Sequence, residues 1–334
     1  MAQRILIAPL DWGLGHTARC IPIIEQQLQK GNEILFAGTK EQQEFINQHQ
    51  LNIQCVDLFG YSIRYSAFLP QWIKIALQIP KILSVINQEK KWLDELLSKE
   101  HVDLIISDNR YGLYSSKTKS IILSHQLAPE SPLFSNFIHK KIASFINRFN
   151  ECWVPDDENL NYTGKLSNNK YIKIPIKKIG LLSRFKSLDS VEDKIFDVLV
   201  LLSGLEPQRS ILEKKILNEL RKTNFKICLV RGAIEGNLSE DSITVFHKIN
   251  SDKINQLVNL SKVIICRSGY TSIMELLPIT QNIIFIPTPG QTEQEYLAKH
   301  LNEKFGIEYL DQKKINLIEE MLLKKMKLLE SKKP

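Results

Sequence analysis

Short apolar runs alternate with longer amphipathic segments from the first residues of this chain, and that alternation leaves few folds open. Ile5 to Ala8 reads as a strand, about Thr17 to Lys30 as a helix, Glu33 to Ala37 as a strand and about Lys40 to Gln50 as a helix. That is the βαβα order of a parallel sheet covered by helices. Further strands are predicted at Leu104 to Ser107, Ile121 to Ser124, Glu151 to Val154 and Ile174 to Ile179. Leu181 to Lys194 is polar and aperiodic, which suits a connection between domains. A second series follows: a strand at Asp197 to Leu202, a helix at Ile211 to Arg221, then strands at Lys226 to Val230, Thr244 to Phe246, Val263 to Cys266 and Ile283 to Ile286. The predicted fold class is α/β, with two doubly wound Rossmann-like parallel-sheet domains over 1–180 and 196–334 and a linker over 181–195. Lys313 to Pro334 has a Lys-rich helical pattern with Leu and Met on one side, and in this fold class the last helix often returns to pack on the first domain. At 334 residues, each half is long enough to bury its own core.

Composition narrows the class further. Hydrophobic residues at 43% and charged residues at 24% are those of an ordinary globular protein and exclude disordered and fibrous chains. A formal net charge of +7 favours anionic partners. No compact basic block is interleaved with aromatics, so nucleic acid is not expected among them. The five cysteines are odd in number and scattered, which points to a reducing cytoplasm. No apolar run approaches the roughly 20 residues of a membrane span. Residues 61–97 mix aromatic and aliphatic side chains with lysines, a pattern that fits peripheral contact with a membrane as well as core packing or a lid.

Chemistry concentrates after two strands of the second half. Arg267 to Ser272 is a small polar turn between the apolar run Val263 to Cys266 and a helix that begins near Ile273. Such a turn aims backbone N–H groups and a helix dipole at whatever lies beyond the strand end, which favours phosphate, and Arg267 would add charge. Glu275, one turn into the helix, is spaced to accept from vicinal ribose hydroxyls. The strand Ile283 to Ile286 stops at Pro287 and Pro289 and releases a polar loop, Gly290 to Glu295, whose amides and carboxylates suit sugar hydroxyls.

These two segments together resemble the nucleotide-sugar signature of the two-domain GT-B glycosyltransferases, most closely glycosyltransferase family 28. The resemblance implies two facing Rossmann-like domains, a nucleoside diphosphate sugar (a UDP-sugar above all) as co-substrate with no further cofactor, and an inverting transfer. It implies diphosphate binding by Ser268, Gly269, Tyr270 and Thr271, ribose binding by Glu275, and donor-sugar contacts from Gln291, Thr292, Glu293 and Gln294. The family's usual proline-aspartate-glutamine run is replaced here by Pro289, Gly290 and Gln291. Ser203, Gly204 and Arg209, after the first strand of the second half, fall where family members approach the donor phosphates. Arg231, at the end of another strand, is a candidate for the nucleotide base.

The first half carries its own constellation. Gly13, Gly15 and Ala18 satisfy the dinucleotide pattern G-x-G-x-x-G/A, yet the second strand ends in Phe36, Ala37, Gly38 and Thr39, with no acid for a ribose. Gly15 and His16, with Pro22 further on, instead resemble the Gly-His neighbourhood in the first loop of many such glycosyltransferases. His16 is the expected general base, since imidazole exchanges a proton near neutral pH. Asp108, just past a buried strand of the same sheet, is its expected partner. Gly13, Gly15 and His125 are expected on the acceptor side, the acceptor being unspecified and a lipid-linked one open. No Asp-x-Asp accompanies the donor pocket, and Asp156 to Glu158 reads as a solvated turn, so no metal site is expected. Two other readings remain: a nucleotide-sugar epimerase or hydrolase on the same fold, and a non-catalytic nucleotide-sugar binding protein.

Overall fold

The computed structural model describes residues 2–61, 77–130, 134–188, 194–204, 206–232, 243–247 and 249–331. The chain divides into two compact units, Met1–Arg184 and Phe185–Pro334. The first holds a seven-stranded sheet of β1 (Arg4–Pro9), β2 (Glu33–Gly38), β3 (Gln54–Asp57), β4 (Leu104–Asp108), β5 (Lys119–Leu123), β6 (Glu151–Val154) and β7 (Ile176–Lys178). Its order is β3-β2-β1-β4-β5-β6-β7, and each pairing is parallel. Around it lie α1 (Leu14–Gln29), α2 (Lys40–Asn47), α3 (Ile79–Lys99) and α4 (Ser135–Ile146). The expected doubly wound sheet is therefore present, with β3, α3 and α4 added to the elements that the pattern indicated.

The strands form where they do because both faces are covered. Ile5, Leu6, Ile7 and Ala8 are consecutive and fully buried, the signature of a central parallel strand rather than an alternating edge. One face packs Leu6, Ala8, Leu35 and Ala37 against Leu93 and Val102. Helix α3 turns Val85, Ile86, Glu89 and Leu93 inward. Thr39 caps α2 in a reciprocal box with Gln42, so the residue after β2 serves a helix start. Of the segment read as a membrane-contact candidate, residues 62–76 lie outside the described residues. Among the described residues no helix is long and apolar enough to cross a membrane.

The second unit has six parallel strands: β8 (Phe196–Leu201), β9 (Ile227–Val230), β10 (Ile243–Phe246), β11 (Ser261–Cys266), β12 (Ile283–Phe285) and β13 (Glu308–Tyr309). They are ordered β10-β9-β8-β11-β12-β13. The helices are α5 (Gln208–Leu220), α6 (Ser251–Asn259), α7 (Tyr270–Leu276), α8 (Thr292–Phe305) and α9 (Ile318–Glu330). Ile318, Leu322 and Met326 of α9 join Val198, Ile216, Val263 and Ile284 in one core of the second unit. The buried stripe of the last helix is thus spent in its own unit.

In each sheet the chain moves outward in opposite directions from one pair of central strands, β1/β4 in the first and β8/β11 in the second. Loops after such a pair diverge and leave a crevice at the carboxyl ends of the strands, where ligands of open α/β sheets bind. Register aligns Pro9 with Asp108 and Asp108 with Leu123, and Leu201 with Cys266. The residues that follow these positions are the ones the sequence singles out.

Candidate active site

At the β1/β4 switch point, Gly13 is the N-cap of α1 with φ 93° and supplies no side-chain cap. Nothing lies within 4 Å of where its Cβ would be, so the demand for glycine is conformational rather than steric. The helix begins at Leu14, earlier than the periodicity indicates. Gly15 and His16 consequently occupy its first turn and not a loop. His16 Nδ1 lies 3.1 Å from Asp108 Oδ2, which unites the two residues expected to pair. Asp108 is fully buried, whereas His16 keeps part of its side chain exposed.

A residue the sequence reading passed over sits at the centre of this group. Arg19, one turn after His16 on the same helix face, donates from Nε to Asp108 Oδ2 at 2.7 Å. Its Nη2 makes a second, very short contact with Asp108 Oδ1. The same guanidinium reaches His125 Nδ1 at 2.9 Å through Nη1 and His16 Nδ1 at 2.9 Å through Nη2. An arginine cannot accept, so His125 Nδ1 is an acceptor here, whereas His16 Nδ1 can either accept from Arg19 or donate to Asp108 but not both. The signal in the sequence was an arginine within a stretch whose neighbours Ala18, Cys20 and Ile21 are all buried. A charge on a buried face requires partners.

Electrostatics follow from this packing. Burial pushes the Asp108 carboxyl upward, but Arg19 and then His16 outweigh it and hold the group down at about 2. Burial, with Asp108 beside it, pushes the Cys20 thiol well up, so Cys20 is packing and not a nucleophile. A second buried cluster braces the loop before α1. Arg110 donates to the Pro9 carbonyl at 2.7 Å, to the Phe59 carbonyl at 3.0 Å and to Glu89 Oε1 at 3.1 Å. Glu89 also accepts from the Tyr61 hydroxyl at 3.0 Å and the Gly112 amide at 2.9 Å. A Cβ on Gly112 would come within 2.5 Å of the Glu89 side chain and 2.2 Å of the Ile86 carbonyl, so only glycine fits against that carboxylate. Asp156, expected as a solvated turn, is instead buried and accepts from the Thr163 amide at 2.7 Å.

The second unit alters several expectations. Arg267 is buried, and its guanidinium donates to the carbonyls of Ile286 at 3.1 Å, Pro287 at 3.2 Å and Gln208 at 2.9 Å. The charge expected to face a phosphate is therefore spent on the backbone, and burial pulls the group down to about 10. The hydroxyl of Ser268 donates to the Gln294 carbonyl at 2.8 Å, so it too is engaged within the chain. Arg209 is tied to the Arg231 carbonyl at 2.7 Å and to Glu206, and Arg231 pairs with Glu213 at 2.7 Å. Those two arginines are held by carboxylates rather than presented singly.

The helix after β11 is α7, with Gly269 as an N-cap that offers no side-chain bond. Tyr270 and Thr271 head that helix, and Glu275 is largely buried within it. Thr292, Glu293 and Gln294, expected in a loop, form the first turn of α8, with Gln291 as its N-cap. Gln294 Oε1 accepts from the Thr288 amide at 2.9 Å and its Nε2 donates to Gln291, so this side chain stiffens the turn between β12 and α8. Ser203 and Gly204 follow β8 and are exposed.

Residues 208–334, from α5 to the end of the chain, match the glycosyltransferase family 28 C-terminal domain. The match covers most of the second unit. Similarity extends beyond it. A UDP-N-acetylglucosamine--N-acetylmuramyl-(pentapeptide) pyrophosphoryl-undecaprenol N-acetylglucosamine transferase of Lactobacillus delbrueckii subsp. bulgaricus is 23% identical, over 87% of this chain and 81% of its own length. Among solved structures, Arabidopsis thaliana UGT89C1 complexed with UDP-L-rhamnose superposes with a TM-score of 0.64 at 15% identity, covering 99% of this chain and 94% of that one. Acinetobacter baumannii MurG superposes with a TM-score of 0.55 at 12% identity, covering 98% and 92%. The fold is that of the GT-B glycosyltransferases, and the chain is a glycosyltransferase.

Proposed function

We propose that this glycosyltransferase moves a sugar from a UDP-sugar to an acceptor hydroxyl, inverting the anomeric centre and using no metal ion. His16 takes the acceptor proton on Nε2 while its Nδ1–H donates to Asp108, which supports the imidazolium as it forms. The acceptor oxygen forms a bond to the anomeric carbon as the bond to the diphosphate breaks, and that electron pair leaves with the diphosphate. Backbone amides at the start of α7, at Gly269, Tyr270 and Thr271, meet the negative charge that builds there. Glu275 accepts from the ribose hydroxyls; Gln291, Thr292, Glu293 and Gln294 contact the donor sugar, and Ser203 and Gly204 line the phosphates. The roles of Arg267, Arg209 and Arg231 are to shape these loops.

The observation that carries this reading is the 3.1 Å contact between His16 and a buried Asp108, at the switch point of the first sheet, in a chain whose residues 208–334 match the family 28 C-terminal domain. The UDP donor is supported by a relative named for UDP-N-acetylglucosamine and a neighbour complexed with UDP-L-rhamnose. The undecaprenol in that relative's name supports a lipid-linked acceptor, which would be met at a membrane surface. Exposed Leu77 and Ile79 at the start of α3 fit such a contact.

Calorimetric titration with UDP, UDP-N-acetylglucosamine, UDP-glucose and NAD, with and without EDTA, tests the donor site. Saturable binding of a uridine nucleotide, insensitive to EDTA and weakened at least about tenfold, or about 1.4 kcal/mol, in Glu275→Ala is expected. Binding of NAD alone would sink the proposal. Unchanged transfer in His16→Ala would reject His16 as the base.

A further inference from the structure

We propose that Arg19 is a positioning residue that keeps His16 unprotonated before the reaction, by engaging the Asp108 charge that would otherwise hold a second proton on the ring. This rests on reading His16 as the general base. The observation behind it is a conflict at one atom. His16 Nδ1 lies within hydrogen-bond distance of a carboxylate oxygen, at 3.1 Å, and of a guanidinium nitrogen, at 2.9 Å. Asp108 alone, fully buried beside a histidine, would favour the imidazolium, and an imidazolium has no lone pair for an acceptor proton.

Arg19 changes that balance because it takes both oxygens of the carboxylate, Oδ2 through Nε and Oδ1 through Nη2. It also places a fixed positive charge beside the ring. Polar groups that face this set include Cys20, whose Sγ is 4.0 Å from Asp108 Oδ2, Tyr111, whose hydroxyl is pushed up by burial with Cys152 and Asp108 adding to it, and His125, two residues past β5, whose Nδ1 accepts from Arg19. None of the three brings a negative charge. With Arg19 Nη2 spent on Oδ1, a neutral ring that carries its proton on Nδ1 donates it to Asp108 Oδ2 and leaves Nε2 open. A lysine at position 19 would preserve the charge but not the two-pronged hold on Asp108.

The test is NMR titration of the His16 ring, assigned by its disappearance in His16→Gln, in wild type, Arg19→Met and Arg19→Lys. The midpoint in Arg19→Met should move to higher pH by about one unit or more, and Arg19→Lys should return most of that shift. An unmoved midpoint in Arg19→Met overturns the proposal. Should Arg19→Met fail to fold, ¹⁵N shifts of the wild-type ring near about pH 7.5 decide the matter. A neutral ring protonated on Nδ1 is expected, and either an imidazolium or a neutral ring protonated on Nε2 overturns the proposal. Transfer in His16→Ala separates the two readings. Retained transfer rejects the base while leaving the titration result intact; lost transfer with an unmoved midpoint rejects only the role of Arg19.

Discussion

Replacing Arg267 with methionine distinguishes a backbone clamp from a phosphate ligand. Methionine keeps much of the apolar stem and removes the guanidinium. Three carbonyls then lose their donor: Ile286 and Pro287, which are buried, and Gln208, which is half-buried. Hydrogen bonds to a charged partner contribute about 1.5–3 kcal/mol each, net of desolvation. Two of the three share one nitrogen, Nη1, and water reaches the third, so a total of about 3 kcal/mol is expected rather than the full sum. Urea unfolding without nucleotide should show this loss in the transition of the second unit, with m unchanged. Arg267→Lys should recover part of it, since an ammonium reaches one carbonyl but lacks the fork. A variant as stable as wild type within about 0.5 kcal/mol, yet devoid of UDP binding, would refute the clamp and return Arg267 to the phosphate.

Two further outcomes follow from the buried charges of the first unit. Asp108 titrates near 2 in the fold against 3.8 for the ordinary carboxyl, so its stabilisation is fully present above about pH 4 and is lost as pH falls toward about 2. The difference is about 2 kcal/mol; Asp108→Asn should be less stable at neutral pH and show a flatter decline between about pH 4 and 2 in acid unfolding. Glu89→Gln leaves the buried Arg110 with only the Asp11 carboxylate, 4.0 Å away, and should cost about 3 kcal/mol in urea. The compensating pair Glu89→Gln with Arg110→Met should recover a measurable share.

What could be read from residues alone was the architecture, because its signal is local. A run such as Ile5 to Ala8, buried on both sides, announces a central parallel strand without help from the rest of the chain. Strand β3, with four residues of mixed burial, and the two-residue β13 carry too little apolar pattern to be seen. The pattern starts helix α1 three residues late because Gly13 offers no capping side chain, and a glycine N-cap signals a turn as readily as a start. Pairing of His16 with Asp108 was legible because both follow strands of one sheet, and parallel register brings such positions to one edge.

Side-chain direction was not legible, and that is where the site departs from its motif. Arg267 has the sequence context of a phosphate ligand, yet three carbonyls of neighbouring turns lie within its reach, and a buried guanidinium goes where acceptors are fixed. Arg19 shows the converse: its place in a stretch bound for the core marks it as a charge that needs a partner but does not say which, and Asp108 is there. In both cases the deciding quantity is the set of unpaired acceptors around a buried cation, which exists only once the sheet is assembled. A motif therefore names the loop that bears the chemistry, and the acceptor inventory of the folded loop decides which of its charges is free to act.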